Sequence, residues 1–390
     1  MNVLILPNRY REPGGEERSV SEIAGLLRSR GHGVRLLERS SADLRGARGS
    51  ARAAAAMLTG GADPSAVGEA VRSSGARVLH AHNINPMFGP RALEAARAAG
   101  ARVVMHLHNY RLVCSIAINY RDGSVCTRCR GRRTWPGAVL RCRGGPAESA
   151  VYAAGLALAQ PRVLAAVERF VVPSAFAARR LEALGLPGER MAVVPNFVRD
   201  SEFAAESRAG EGEYALFAGR LVDEKGPGTA IEAAALAGVP LRIAGSGPEL
   251  PRLRSAASRL GADVTFLGLL ESAQMRAARA RAAFLVAPSR WDEPCPYTVI
   301  EAMAAGVPVL ASERGGLPEM VGPESVLAPH ATERWAEAMG QLWGDAAHRQ
   351  SRGAAALERG RALFTEERFY AELMRVYGKP ESAATAAGHV

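Results

Sequence analysis

Residues 214–226 read YALFAGRLVDEKG, and this stretch decides the fold. Its first five residues form an apolar, strand-like run, and the turn that follows carries Arg220 and Lys225 before a helical pattern begins. A turn between a strand and a helix presents free backbone N–H groups and the positive end of the helix dipole, which together attract anions. Lys225 strengthens this interpretation, because it is one of only two lysines in the chain.

Short apolar runs and helical patterns alternate on both sides of this stretch. Further strands are expected at 241–244, 264–267, 284–287 and 307–311 in the second half, and at 2–7, 34–37, 77–82, 102–108, 170–172 and 191–194 in the first. Such alternation predicts parallel sheets with right-handed crossovers, whose ligands bind at the carboxyl ends of the strands. We therefore expect an α/β chain with two doubly wound Rossmann-like domains that face a central cleft.

A chain of 390 residues is too long for one ordinary core, which makes two domains the default expectation. The polar stretch 199–212, rich in small residues, has the composition of a linker. The boundaries that follow are 1–198 for the first domain and 199–377 for the second. The segment 378–390 is expected to be a flexible tail.

The apolar fraction of 48% and the charged fraction of 23% are typical of a folded globular protein. No apolar run reaches the roughly 18 residues that a membrane span needs. The first apolar run, 3–6, is too short for the core of a signal peptide, so we expect a cytoplasmic protein. The net charge of +10 favours anionic partners such as nucleotides, nucleic acids or acidic lipid surfaces.

Residues 292–306 read DEPCPYTVIEAMAAG and are the most specific feature of the second domain. Pro296 suits the first position of a helix, which places Glu301 about one turn inside that helix and Glu293 in the loop before it. Two carboxylates near one strand end can accept hydrogen bonds from hydroxyl groups several ångströms apart, as sugars and riboses require. The alternative is that both carboxylates only stabilise the positive end of the helix.

Together with other motifs, this element makes the sequence resemble the retaining family 4 glycosyltransferases of the two-Rossmann GT-B fold, over nearly the whole chain. The most diagnostic match is Glu293-x7-Glu301 with its Ala-Met-Ala-Ala-Gly tail. The other matching motifs are Gly14-Gly15-Glu16, the stretch 31–34, His80-Ala81-His82, His108, Pro195-Asn196, Gly219-Arg220 with Lys225-Gly226, Gly245-Ser246-Gly247, the stretch 266–268, Pro288-Ser289 and Gly315-Gly316 with Glu319.

The resemblance implies how a nucleoside-diphosphate sugar would be held by the second domain. Arg220 and Lys225 would neutralise the diphosphate, the leaving group. Glu301 would accept the ribose hydroxyls, and Glu293 would hold hydroxyls of the transferred sugar. Preorganised cations of this kind can stabilise a leaving group without a metal, so metal-independent catalysis is expected.

Four further positions complete the expected site. The backbone N–H groups at Gly15 would meet the phosphates from across the cleft, and His108 would touch the donor sugar near the reacting centre. Gly245 and Gly247 would let the nucleotide approach the backbone closely, although a lone Gly-x-Gly is usually only a tight turn. His106 is expected to face the opposite side of its strand from the ligand.

The resemblance predicts an enzyme that moves a sugar from a UDP- or GDP-linked donor to an acceptor hydroxyl with retention. Cell-envelope polysaccharide or natural-product glycoside synthesis is the expected setting. The acceptor is expected on the side of the first domain, and a lipid-linked or phosphorylated acceptor would suit the positive charge there. Peripheral contact with the inner face of a membrane fits the same charge, and no nucleic-acid partner is expected.

An insert at 110–146 in the first domain contains four cysteines, Cys114, Cys126, Cys129 and Cys142. The Cys-x-x-Cys pair between two flanking thiols fits a tetrahedral structural zinc site. Free or redox-active thiols and disulfides are the alternatives that the spacing leaves open. The stretch 111–145 also holds eight arginines against one acid, Asp122, which favours an anionic acceptor or membrane surface over a merely solvated loop.

Two other classes of protein compete with the transferase. A sugar-nucleotide epimerase of the same fold would lack the paired glutamates, and a phosphorylase would need a suitably placed pyridoxal lysine, which neither Lys225 nor Lys379 provides. A nucleic-acid-binding protein built on a zinc knuckle would need aromatic residues among the arginines, and the insert offers only Tyr120 and Trp135.

Overall fold

The N-terminal half of the computed structural model, which describes residues 1–9, 14–44 and 46–378, is built on a parallel sheet of six strands. The strands are β1 (Asn2–Leu6), β2 (Gly33–Leu36), β3 (Val78–Ala81), β4 (Arg102–His106), β5 (Arg169–Val172) and β6 (Met191–Val193). Their order is β6-β5-β4-β3-β1-β2. The sheet is covered on both faces, which explains why its strands read as continuous apolar runs.

A second parallel sheet of six strands forms the C-terminal half. Its strands are β7 (Tyr214–Ala218), β8 (Leu241–Ala244), β9 (Val264–Gly268), β10 (Ala282–Ala287), β11 (Val309–Ser312) and β12 (Val326–Leu327). Their order is β9-β8-β7-β10-β11-β12. The predicted strand at 307–311 begins two residues later, because Pro308 has no N–H to give to the ladder.

Helices cover both faces of the two sheets, as the doubly wound prediction requires. Those of the N-terminal half are α1 (Gly15–Ser29), α2 (Gly46–Thr59), α3 (Ser65–Ser74), α4 (Gly89–Ala98), α5 (Pro136–Val139), α6 (Pro146–Ala166) and α7 (Ala175–Ala183). Those that follow are α8 (Pro227–Ala237), α9 (Leu250–Arg259), α10 (Ser272–Ala280), α11 (Tyr297–Ala304), α12 (Leu317–Val321), α13 (Thr332–Gly344), α14 (Ala346–Leu363) and α15 (Glu366–Tyr377). The predicted fold of two Rossmann-like domains is confirmed.

The last helix returns to the first domain. Phe369, Leu373 and Tyr377 of α15 are buried in the core that lies between β1 and α1. The prediction assigned 199–377 together to the second domain, whereas the structure adds α15 to the N-terminal sheet. The apolar face of α15 decides this placement, and a linear division of the sequence has no means of locating its partner.

The polar stretch 199–212 contains only short 3-10 turns, Asp200–Glu202 and Ala209–Glu211, between the two sheets. The predicted tail at 378–390 lies outside the described residues apart from Gly378. Within the described part of the chain, no helix combines the length and apolarity that crossing a membrane requires.

Candidate active site

The cleft between the two domains brings the start of α1 opposite the start of α11. A side chain at Gly15 would have its Cβ 3.7 Å from Cδ2 of Tyr297, so the two helix ends are nearly in contact. The N–H groups and positive dipole end of α1 therefore point towards the carboxyl ends of the C-terminal strands. The structure thus places Gly15 on the opposite side of the cleft from the donor loop, defined here as residues 219–226.

The donor loop joins β7 to α8, as its sequence predicts, and Lys225 ends the 3-10 turn within it. The Lys225 ammonium forms an ion pair with Glu293 and lies 5.4 Å from the centre of the Trp291 ring. Glu293 is only 3% exposed and also accepts a hydrogen bond of 2.8 Å from the Ser289 hydroxyl. Two of the predicted site residues are thus in direct and largely buried contact with each other.

Arg220 occupies a different environment on the same loop. Its guanidinium is 3.2 Å from Glu224 Oε1, and 60% of its side chain is exposed. The two predicted diphosphate ligands therefore differ, because Lys225 is fixed by buried neighbours whereas Arg220 is free to reorient at little cost.

Gly245 and Gly247 lie against the backbone of the donor loop. Gly245 has a φ of +144°, and a Cβ there would overlap the carbonyl oxygen of Gly219. A Cβ at Gly247 would overlap the carbonyl oxygen of Leu221, whose N–H donates to Ser246 O at 2.8 Å. Glycine is therefore needed at both positions mainly because the 245–247 turn packs against the donor loop. Of these two segments, the donor loop is the one that faces the cleft.

Glu301 lies in the second turn of α11 with both carboxylate oxygens in ion pairs. Arg18 of α1 reaches across the cleft to one oxygen, and Arg279 of α10 binds the other. Arg18 also covers the Tyr297 ring, with its guanidinium carbon 4.6 Å from the ring centre. Glu301 is 8% exposed and Arg279 is 6% exposed, so this is a largely buried cluster.

Sequence reasoning missed both of these arginines. Arg18 sits one turn after Gly15, and a helical side chain leans back towards the N-terminus of its helix, so it reaches the same opening. This direction was available as a signal in the sequence. Arg279 gave none, because nothing local distinguishes it from the many other arginines of the chain. Burial lowers the pKa of Arg279 to about 10.

The backbone around Glu293 is held by three neighbours. Gly316 N donates to Glu293 O at 2.6 Å, and Gly315, with a φ of +64°, approaches the same residue so closely that no side chain fits. Tyr110 from the first domain donates its hydroxyl proton to Asp292 O at 2.9 Å. Pro296 was predicted as the first helical residue, but its extended ψ of 131° makes it the residue before α11.

His108 follows β4 by two residues and belongs to a compact cluster of four histidine rings, those of residues 80, 82, 106 and 108. Its Nε2 is 2.8 Å from His82 Nδ1, and its ring stacks on His106 with the centres 4.1 Å apart. His106 therefore faces the same side as His108, and the predicted opposite orientation is wrong. Residues two apart in an extended chain share one face, which explains the result.

His80, His82 and His106 are buried and His108 is half-buried, and desolvation lowers the pKa of all four rings. Burial lowers the pKa of His108 to about 3, although part of its ring still faces a cavity beside Glu16 and Asn83. The Nδ1 atom of His80 lies 2.7 Å from the Tyr377 hydroxyl, at hydrogen-bond distance. Burial lowers the pKa of His80 to about 3 as well. At neutral pH, His108 thus offers a neutral hydrogen-bonding ring to the cleft.

The insert at 110–146 brings its four cysteines around one small cavity, between the loop after β4, the hairpin 120–125 and α5. All four are free thiols, so the disulfides among the alternatives are not formed. The hairpin also reaches the donor loop, where the Tyr120 hydroxyl donates to Asp223 Oδ2 at 2.6 Å. The insert therefore borders the cleft.

Comparison with known proteins accounts for this arrangement. The family model described as Glycosyl transferase 4-like domain matches residues 14–196, and the one described as Glycosyl transferases group 1 matches residues 198–359. The two matched regions adjoin between residues 196 and 198. Both family descriptions name glycosyl transfer, which favours sugar transfer over the epimerase, phosphorylase and nucleic-acid-binding alternatives.

Two curated relatives differ in how much of their length is shared. The chain is 28% identical to the phosphatidyl-myo-inositol mannosyltransferase of Mycobacterium tuberculosis over 326 residues, which cover 80% of this chain and 77% of the relative. It is 35% identical to the exopolysaccharide phosphotransferase of Streptomyces coelicolor over 186 residues, which cover 45% of this chain but only 20% of that relative.

Among solved structures, the Anabaena protein HepE, crystallised with UDP and glucose, has the same fold. It superposes with a TM-score of 0.65 at 17% identity, and the match covers 96% of this chain and 98% of that one. Three observations agree with one another: the matching domains, the two facing parallel sheets and the paired glutamates at the cleft. The chain belongs to the group 1 glycosyltransferases of the GT-B fold.

Proposed function

We propose that this enzyme transfers a sugar from a UDP- or GDP-linked donor to an acceptor hydroxyl, with retention of configuration, in the synthesis of a cell-envelope or other cellular glycan. The observation that carries the proposal is a pair of largely buried ionic contacts at the cleft, Lys225 with Glu293 and Glu301 with Arg18 and Arg279. Such a costly group of buried charges is typical of a site that exchanges these partners for those of a ligand.

The donor diphosphate would bind between the donor loop and the start of α1. Arg220 would turn from Glu224 to the phosphates and bind two oxygens with its planar fork, while Lys225 adds a fixed point charge. Negative charge grows on the diphosphate as the glycosidic bond breaks. Both cations therefore act most strongly in the transition state, and we expect no catalytic metal.

The ribose would compete with Arg18 for Glu301. Arg18 is partly exposed, whereas Arg279 on the other carboxylate oxygen is buried, so Arg18 is the partner that the ribose hydroxyls would displace. Glu301 would keep Arg279 and accept hydroxyl hydrogen bonds on the oxygen that is released. The neutral ring of His108 would donate to a hydroxyl of the donor sugar without introducing a charge beside the leaving group.

The acceptor would enter from the side of the N-terminal domain. A cavity whose lining includes Glu16, Asn83, His108 and Arg111 lies there, next to the arginine-rich insert. This surface suits an acceptor that carries phosphate, and the M. tuberculosis relative is named a phosphatidyl-myo-inositol mannosyltransferase. We propose a phosphorylated or lipid-linked acceptor, used at the inner face of a membrane.

A panel of donors tests the first half of this proposal. Thermal melts with UDP-sugars, GDP-sugars and the free nucleotides should show one base that stabilises the protein, by about 2.7 kcal/mol at a hundred times its Kd. Product analysis with that donor and with lipid extracts or phosphorylated sugars as acceptors should then show one sugar added. Stabilisation by no nucleoside diphosphate of either base would refute the proposal.

A further inference from the structure

The cysteine insert, defined as residues 110–146, has unusual backbone dihedral angles that its apolar residues do not explain. Five residues other than glycine have a left-handed φ in the described chain, and four of them lie in this insert, namely Ala117, Asn119, Asp122 and Arg141. Such conformations are unfavourable and persist only where surrounding contacts fix them. Each of the four lies in a turn that directs a cysteine or the hairpin towards the common cavity.

The four thiols come from three separate turns of the chain. Cys114 lies in the loop after β4, Cys126 and Cys129 follow the hairpin 120–125, and Cys142 follows α5. All four line one cavity, together with the small residues Ser115 and Gly137. Four thiols from distant positions converge in this way when a single ligand occupies their centre.

Hydrogen-bond donors lie beside two of the four sulfur atoms. Backbone N–H groups of Asn119, Ile116 and Ala117 lie close to the buried sulfur of Cys114. The Arg121 guanidinium lies 3.7 Å from the sulfur of Cys142. A zinc ion with four thiolates carries a net charge of about −2, which the arginines of the insert would offset.

We propose that Cys114, Cys126, Cys129 and Cys142 bind one structural Zn²⁺ ion. With Zn–S bonds of about 2.3 Å, the sulfurs of a tetrahedral site are about 3.8 Å apart. Among the described residues, the group of three possible metal ligands whose ligand atoms all lie within 4.8 Å of one another consists of His80, His82 and His106. The cysteine sulfurs are therefore more widely spaced than the ligand atoms of this group. Binding therefore requires some of the thiols to rotate inwards around the cavity.

The histidine cluster is the weaker metal site despite its shorter distances. The His106 ring stacks on His80 and His82 with interplanar angles of 9° and 25°. Nitrogen lone pairs lie in the ring planes, so those of stacked rings run side by side and do not converge on one ion. Two of the ring nitrogens are also engaged, with Tyr377 and with His108.

The zinc site would fix a contact with the donor loop. Tyr120 lies between Cys114 and Cys126 in the sequence, and its hydroxyl donates a hydrogen bond to the Asp223 carboxylate. Asp223 also accepts a hydrogen bond of 2.8 Å from Arg290. Asp223 begins the 3-10 turn that ends at Lys225. The metal would thereby align the acceptor-side insert with the donor loop, a consequence that rests on the proposed function, whereas the metal site itself does not.

Metal content of the purified full-length protein tests the site directly. We expect one zinc per chain by mass spectrometry, its loss in Cys129→Ser, and its full retention in the matched control Cys295→Ser, whose thiol is buried outside the insert. Replacement by Co²⁺ should give the intense sulfur-to-metal charge-transfer bands of a tetrathiolate. Zinc-free protein with all four thiols reactive, or Cys129→Ser with full zinc, would overturn the proposal.

Two further measurements keep the test decisive. If Cys129→Ser does not fold, titration of the wild-type thiols should release zinc, with four thiols modified per metal, and release without thiol modification would contradict the site. Tyr120→Phe should keep its zinc but weaken donor binding about ten-fold, because one hydrogen bond to a carboxylate is lost. Unchanged donor binding would overturn the link to the donor loop, and zinc without any nucleotide binding would refute only the proposed function.

Discussion

Replacing Lys225 with alanine should damage both stability and turnover, and the structure assigns each effect a separate cause. The ammonium neutralises Glu293, which is 3% exposed and, among the described residues, would keep the Ser289 hydroxyl as its side-chain partner once Lys225 is gone. The same ammonium faces the position proposed for the donor diphosphate. Arg220 shares only the second of these roles, since its side chain is 60% exposed.

The expected magnitudes follow from burial. Removing one partner of a buried ion pair costs about 3–5 kcal/mol, and the partial exposure of Lys225, 20%, favours the lower end. For a domain of this size, about 3 kcal/mol lowers the melting temperature by roughly 6–12 °C. Loss of one preorganised charge at the leaving group should lower kcat by about 10²- to 10³-fold.

Thermal melts and initial rates of three variants separate the two effects. Lys225→Ala should lose both melting temperature and kcat, whereas Arg220→Ala should lose kcat but less than about 1 kcal/mol of stability, because an exposed pair contributes little. The double variant Lys225→Met with Glu293→Gln removes both charges and should recover much of the lost stability without recovering activity.

Two outcomes would refute this reasoning. Near-wild-type kcat in Lys225→Ala would show that Lys225 does not stabilise the leaving group. Equal melting temperatures for Lys225→Ala and Arg220→Ala would show that the contact with Glu293 is not a costly buried pair.

Three further predictions concern the rest of the site. Glu301→Ala strands the buried Arg279 charge and should destabilise the protein by about 3 kcal/mol, while Glu301→Gln should cost less yet raise the donor KM, as melts and kinetics would show. Gly245→Ala should weaken nucleotide binding in calorimetry, whereas Gly238→Ala, with a φ of +63° but open space around it, should not. Burial lowers the pKa of His80 to about 3, so its neutral form stabilises the fold above pH 6.5. Melts should show that support falling by about 2 kcal/mol from pH 6.5 to 5, and His80→Gln should remove that part.

The sequence predicts most of the fold because its signals are local. The apolar runs of β7 and β8 are buried on both faces, so their bounds can be derived from the residues alone, and the structure reproduces 214–218 and 241–244 without change. The turn residues of the donor loop give its position between a strand and a helix in the same way.

What the sequence could not provide is the set of partners that arrive from distant parts of the chain. Glu301 was predicted to accept hydrogen bonds from a ribose, yet in the structure it forms ion pairs with Arg18 from α1 and Arg279 from α10. Nothing near Glu301 in sequence identifies these partners, since the pairing depends on how two domains close on each other. The return of α15 to the first sheet has the same cause, because a buried helix face does not name the surface that buries it.

The ion pairs across the cleft also bear on how the enzyme would work. In the structure, Lys225 is neutralised by Glu293 and Glu301 by two arginines, so the isolated site carries little net charge despite its many charged groups. A donor with a negative diphosphate and a neutral ribose would not simply add to this balance. It would take Arg220 from Glu224 and displace Arg18 from Glu301, so that binding the donor exchanges a contact between the domains for contacts through the ligand. Donor affinity and the position of the domains should therefore change together, and variants of Arg18 should alter both.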